Sequence, residues 1–134
     1  MAYIAAYIAA LLAFGILDAG WLTLMGPRLY KPEIGSLLAA KVQVAPAILF
    51  YLIYIGGVIA LASAPAAKAG GVSKAAIAGA IFGFVAYATY DLTNLATLKG
   101  WPLGLSLIDM AWGTVVSTAS AAGGKAALGW ATRA

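Results

Sequence analysis

The stretch Tyr87–Pro102, "YATYDLTNLATLKGWP", sets an aspartate and an asparagine inside what otherwise reads as a membrane helix. The run before it, Lys74–Ala86 ("KAAIAGAIFGFVA"), is apolar after its lysine, and the chain stays helix-compatible as far as Gly100. Groups such as "DLTN" are costly in lipid unless they find partners or water inside a bundle. The stretch closes on "KGWP", a turn so short that the helices on either side of it must be antiparallel neighbours. The expected fold is therefore an all-α integral membrane bundle with a polar interior.

Composition agrees with that reading. Of 134 residues, 64% are hydrophobic and 9% charged, whereas soluble domains carry about 25% charged residues. A water-facing surface cannot be built from this set. The net charge of +4 is scattered along the chain, with no basic stripe for a nucleic acid partner. The absence of cysteine and histidine removes thiol nucleophiles and the usual zinc and haem ligands. No nucleotide motif is present. Any chemistry falls to carboxylates, amides, hydroxyls and lysines.

Four runs reach the ~20 residues needed to cross a bilayer: residues 2–25, 42–63, 75–98 and 103–123. Together they form one four-transmembrane-helix domain, 1–134. The first run lacks a basic leader and exceeds the ~7–15 apolar residues of a signal peptide, so it reads as a retained span. "GPRLYKPEIG" (26–35), with two prolines and a charge cluster, is expected to end it. "SAPAAKAGGVSK" (63–74) separates the second and third spans, and the tail "GKAALGWATRA" is expected to fray. Trp21, Trp101, Trp130, Tyr3 and Tyr30 fall near span ends, where aromatic residues anchor at the interface. Small residues recur at helical spacing (Gly79 with Gly83, Gly15 with Ala19, Gly113 with Ser117) and read as close packing within the bundle.

Orientation is nearly tied. Arg28, Lys31, Lys41 and Lys99 lie on one side of the expected bundle, and Lys68, Lys74, Lys125 and Arg133 on the other. An even number of spans puts both termini together, here assigned to the cytoplasm, while the tie leaves room for insertion in both orientations.

Three of the four acidic residues, Asp18, Asp91 and Asp109, lie within spans. Asp18 precedes Gly26 by eight positions, Asp91 precedes Lys99 by eight, and Asp109 follows Leu103 by six. At ~1.5 Å per residue each sits roughly 9–12 Å inside the same membrane face. An ionised aspartate facing lipid costs ~3 kcal/mol even on a lenient scale, so the three are expected to be protonated, paired or lining a wet pocket. Asn94, Tyr90, Tyr51, Tyr54, Trp112, Lys41 and Gln43 are the expected companions of Asp18, Asp91 and Asp109. Ser106, Asp109, Gly113, Ser117 and Ser120 add one small, polar stripe. The competing reading is interhelical glue, but such bonds average only ~0.6 kcal/mol, too little to account for three acids.

The segments "ILDAGWL" (16–22), "FYLIYIGG" (50–57), "YATYDLTNLATLKGWP" (87–102) and "IDMAWGT" (108–114) together resemble a family of small bacterial four-span inner-membrane proteins catalogued as a domain of unknown function. The resemblance spans nearly the whole chain, centred on "YDLTNLATL-x-x-WP" followed by "D-x-x-WG". Its motif positions fall on Asp18, Trp21, Tyr51, Tyr54, Tyr90, Asp91, Asn94, Trp101, Pro102, Asp109 and Trp112. It implies a multi-pass protein of the bacterial inner membrane and carries no activity with it.

Binding or processing of a lipid or small ligand at the Asp/Asn pocket ranks first, with membrane lipids as the expected partners. A hard cation such as Mg²⁺ on oxygen ligands is one cofactor compatible with the carboxylates. No catalytic motif decides whether the chain is an enzyme, and a pair of DxxxD cation motifs is missing. A small proton- or cation-coupled transporter, acting as a dual-topology dimer, ranks second. A non-catalytic subunit of a partner membrane protein is third.

Overall fold

The computed structural model describes residues 1–133, and among these no strand occurs. Four helices run antiparallel: α1 (Ala2–Leu37), α2 (Val44–Ala69), α3 (Val72–Thr97) and α4 (Leu103–Ala131). Ala2 and Tyr3 lie beside Leu128 and Thr132, with Ala67 from the end of α2 at the same place. The start of the chain and the end of α4 therefore share one end of the bundle.

The expected breaks are shorter than the sequence suggests. "GPRLYKPEIG" does not leave the helix: α1 passes through a π-helical turn at Gly26–Tyr30, an α-turn at Lys31–Ile34 and a 3-10 turn at Gly35–Leu37. The widened turn is closed by the Lys31 N–H on the Gly26 carbonyl, and Pro32 follows it directly. In α2 the same device recurs at Ile59–Ser63, with the Ala64 N–H on the Ile59 carbonyl and Pro65 next in line. A proline inside an α-helix clashes with the preceding turn, and an i→i−5 turn just ahead of it lets the helix carry on. The tail does not fray where expected either. Helix α4 continues to Ala131, with Leu128 buried. Between α3 and α4 the chain turns in five residues, with Gly100 in the left-handed region at φ 72° that favours glycine.

The packing is inverted relative to a water-soluble bundle. Ile4, Ile8, Leu12 and Ile16 of α1 face outward, as do Ile77, Ile81, Phe84 and Val85 of α3. The interior instead holds small and polar groups: Ser63, Ser106, Ser117, Ser120 and all three span aspartates are buried. Three helices, α1, α2 and α3, are long and apolar enough to cross a membrane. Helix α4 falls short of that apolarity because it is enclosed, packed along α3 on one side and α1 on the other. A helix walled by its neighbours needs few lipid-facing side chains and can spend its faces on serine, glycine and Asp109.

Close α3–α4 approach depends on glycine. A Cβ on Gly79 would stand 2.5 Å from the Ala121 Cβ and 2.6 Å from the Ser117 carbonyl, and one on Gly83 would meet the Gly113 carbonyl. These pairs pack within the bundle as expected. Gly15 does not, since its Cβ position is open and Ala19 is exposed.

Candidate functional site

The polar network lies at the end of the bundle away from the N-terminus, and Asp18 ties three helices together there. Its Oδ2 accepts from the Tyr51 hydroxyl of α2 at 2.6 Å, and its Oδ1 from the Trp112 indole of α4 at 3.1 Å. With one donor on each oxygen and 7% exposure, Asp18 is a satisfied acceptor that fixes the positions of Tyr51 and Trp112.

Asp109 is reached from another direction. The Tyr30 hydroxyl donates to its Oδ1, and Tyr30 in turn accepts from the Trp21 indole at 2.9 Å. The π turn brings Tyr30 to this position from nine residues beyond Trp21. Beyond it Ile34 packs with Trp101 and Leu105, so the end of α1 folds over the α3–α4 turn and covers the network. Trp21, Tyr30 and Trp101 were expected to anchor at a membrane surface. The structure instead turns them inward, with Trp101 donating to Ser106 at 3.0 Å. Tyr3 and Trp130 are exposed, at 56% and 72%.

Asp91 differs from both. It is fully buried, at 0% exposure, and lies beside Asp109, yet neither of its carboxyl oxygens has a hydrogen-bond partner. Asn94, expected to serve it, is half-buried and sits with Tyr90 instead. The two are four positions apart, which favours contact along one helix face. Lys41 and Gln43 are exposed in the extended linker before α2 and stand outside the network. Helix α2 starts only at Val44, so neither is carried inward by helical backbone. The donors that do reach Asp18 and Asp109 are tyrosine and tryptophan, all neutral. The buried charged side chains are Asp18, Asp91 and Asp109, with no lysine or arginine among them. Charge balance at the Asp91–Asp109 pair therefore calls for a proton or a cation that the neighbouring side chains do not supply.

Asp109 also forms the floor of a cavity of about 360 Å³, lined by Phe50 and Tyr54 of α2 and by Ala86, Tyr87 and Tyr90 of α3. Tyr54 and Tyr87 stand nearly perpendicular, at 85° with centroids 6.2 Å apart, and Phe50 tilts against Tyr54 at 5.2 Å. Phe50 and Tyr90 are exposed at the rim, at 45% and 54%. The cavity is closed on the inner side by Tyr54, whose hydroxyl shares a 2.7 Å hydrogen bond with Ser117. The remaining serines of the stripe bond to backbone, Ser120 to the Ala10 carbonyl and Ser63 to the Ala121 carbonyl, both at 2.9 Å. That half of the polar interior is interhelical glue. Among the described residues no three acidic, histidine or cysteine side chains converge on a point where a metal ion could sit.

Sequence reasoning reached the three aspartates, Tyr51, Tyr54, Tyr90 and Trp112, but missed Trp21, Tyr30, Tyr87 and Phe50 as network or cavity residues. Trp21 could have been found, because it lies three positions after Asp18 on the same helix face. Tyr30 could not, because the π turn changes the phase that would identify its face.

The apolar exterior, the helices long enough to span a bilayer and the buried carboxylates define a helical membrane protein of multi-pass type. The chain belongs to the family described as "Predicted membrane protein (DUF2177)", whose model matches residues 3–126. No curated protein and no solved structure matches it.

Proposed function

We propose that this chain is a four-crossing protein of a bacterial inner membrane that binds a lipid or small amphiphile at the Asp91–Asp109 pair. The observation that carries the reading is Asp91. A fully buried carboxyl group without a hydrogen-bond partner is costly. It stands beside the one carboxylate that opens onto an aromatic-lined cavity. Ligand pockets of about 300–1,000 Å³ combine such apolar walls with a few placed polar groups. Helix α4, enclosed by α1 and α3, completes the fourth crossing in this reading.

Native mass spectrometry of protein released directly from membranes tests it. A bound small molecule or lipid is expected on the wild-type chain and is lost from Asp109→Asn. An identical, ligand-free mass in both, with neither shifted by added membrane lipid extract, would sink the reading.

Proton-coupled transport is the second reading, favoured by the same unpartnered oxygens, since a proton is the smallest ligand they could take. A transporter needs a route to the other membrane face, and there Phe14, Ile55, Val58 and Val116 form a fully buried apolar layer. Binding therefore ranks ahead of transport.

A further inference from the structure

Taking the binding reading as its premise, we infer that the cavity between α2 and α3 recognises an organic ammonium group, carried by a single-tailed cationic amphiphile without a phosphate.

Three independent features point to that chemistry. Charge comes first: the cavity floor is Asp109, next to Asp91 and within the field of Asp18, and every donor to Asp18 and Asp109 is neutral. The site thus presents uncompensated negative charge to whatever enters. The walls come second. Tyr54 and Tyr87 meet at 85° and Phe50 leans on Tyr54, so ring faces and edges enclose the space above the carboxylate on more than one side. An aromatic enclosure with a carboxylate at its base is the arrangement that attracts alkylated ammonium groups, whose diffuse charge loses little hydration on entry. A hard, strongly hydrated divalent ion would demand six or more oxygen ligands, which Asp109 and its aromatic neighbours do not offer.

The third feature is what the cavity lacks. Its lining contains no lysine, arginine or amide side chain, and Lys41, the nearest basic residue to the start of α2 in sequence, is exposed in the linker. A phosphate carried close to the ammonium, as in a zwitterionic phospholipid head, would meet Asp109 and Asp91 with no counter-charge. The rim residues Phe50 and Tyr90 are half exposed on the outer surface, which suits an apolar tail leaving sideways between α2 and α3.

The test uses the full chain in nanodiscs and three probes with the same twelve-carbon tail, titrated calorimetrically against empty discs. Dodecyltrimethylammonium carries the ammonium alone. Dodecyldimethylamine oxide has a head of similar size and no net charge at neutral pH. Dodecylphosphocholine adds a phosphate. The expected result is that the ammonium probe binds about tenfold tighter than either of the others. Asp109→Asn should bring that preference down to near parity. Because Asp109→Asn changes a buried group, Tyr90→Ala is measured beside it. Tyr90 is more than half exposed, so its removal leaves the core packing in place, and it should lower the preference at least threefold. Equal affinity for the ammonium and the amine oxide overturns the ammonium inference while the binding reading stands. Dodecylphosphocholine binding as tightly as the ammonium probe overturns the exclusion of phosphate. Binding no stronger than to empty discs for all three overturns the inference together with the reading beneath it.

Discussion

Trp21 and Trp112 stack face to face, with centroids 4.4 Å apart and ring planes within 4°, and their indole N–H groups point along different branches of one network. Trp112 donates to Asp18, and Trp21 donates to the Tyr30 hydroxyl that serves Asp109. The stack joins α1 to α4 and sets the spacing between two of the carboxylates.

Replacing Trp112 with phenylalanine keeps a ring in the stack and removes the donor to Asp18. A buried acceptor left unsatisfied costs about 1–3 kcal/mol, so Trp112→Phe should unfold at lower temperature in detergent. Asp18→Asn combined with it should cost less than the sum of the two single changes, because both act on the same bond. Strict additivity in thermal unfolding would show that the bond contributes nothing.

Asp91→Asn separates a binding role from a structural one. The amide preserves shape and removes a charge that the fold leaves without a partner. Stability should be unchanged or higher, while affinity for a cationic ligand falls about tenfold or more. A variant equal to wild type in every binding titration would assign Asp91 to packing alone.

Gly83→Ala and Gly15→Ala should behave oppositely. A methyl on Gly83 runs into the Gly113 carbonyl and the Ser117 side chain, and forcing α3 from α4 should cost about 1–3 kcal/mol. Gly15 has open space around it, and alanine there should stabilise the helix by up to about 1 kcal/mol. Unfolding midpoints of the two variants, read side by side, check the α3–α4 contact directly.

The four-to-four distribution of basic residues leaves orientation weakly biased. Two added lysines at Gly70–Gly71, between α2 and α3, should fix that end of the bundle in the cytoplasm. Reporter fusions that remain in one orientation whichever end receives the lysines would show that something other than loop charge decides it.

The parts of this architecture that follow 3.6-residue periodicity were legible in the sequence. Asp18, Asp91 and Asp109 were placed at one depth by counting along helices, and the Gly79–Gly83 and Gly113–Ser117 faces by their four-residue spacing. What escaped was set by local departures from that period or by contacts between distant helices. The π turn at Gly26–Tyr30 carries Tyr30 inward, so a residue resembling an interfacial anchor became a donor to Asp109. Lys41 and Gln43 were assigned inward by assuming helix from residue 42, whereas the helical backbone begins two residues later. Asn94 shares a face with both Asp91 and Tyr90, and only the packing of α3 on α4 decides between them.

The π turn makes segment length, as well as residue identity, a constraint on this protein. Deleting one residue from Gly26–Tyr30 would let the turn relax to an ordinary α-helix and rotate all that follows in α1 by about 100°. The Tyr30 hydroxyl would leave Asp109 and Ile34 would leave Trp101 in the same event, although both side chains would still be encoded. Single-residue deletions across 26–30 should therefore be far more damaging than any conservative substitution there, whereas deletions within the exposed linker 38–43 should be tolerated. Expression and folding of a one-residue deletion series, followed by fluorescence-detected size exclusion, would reveal that frame: a sharp trough over the π turn and a plateau on the linker side.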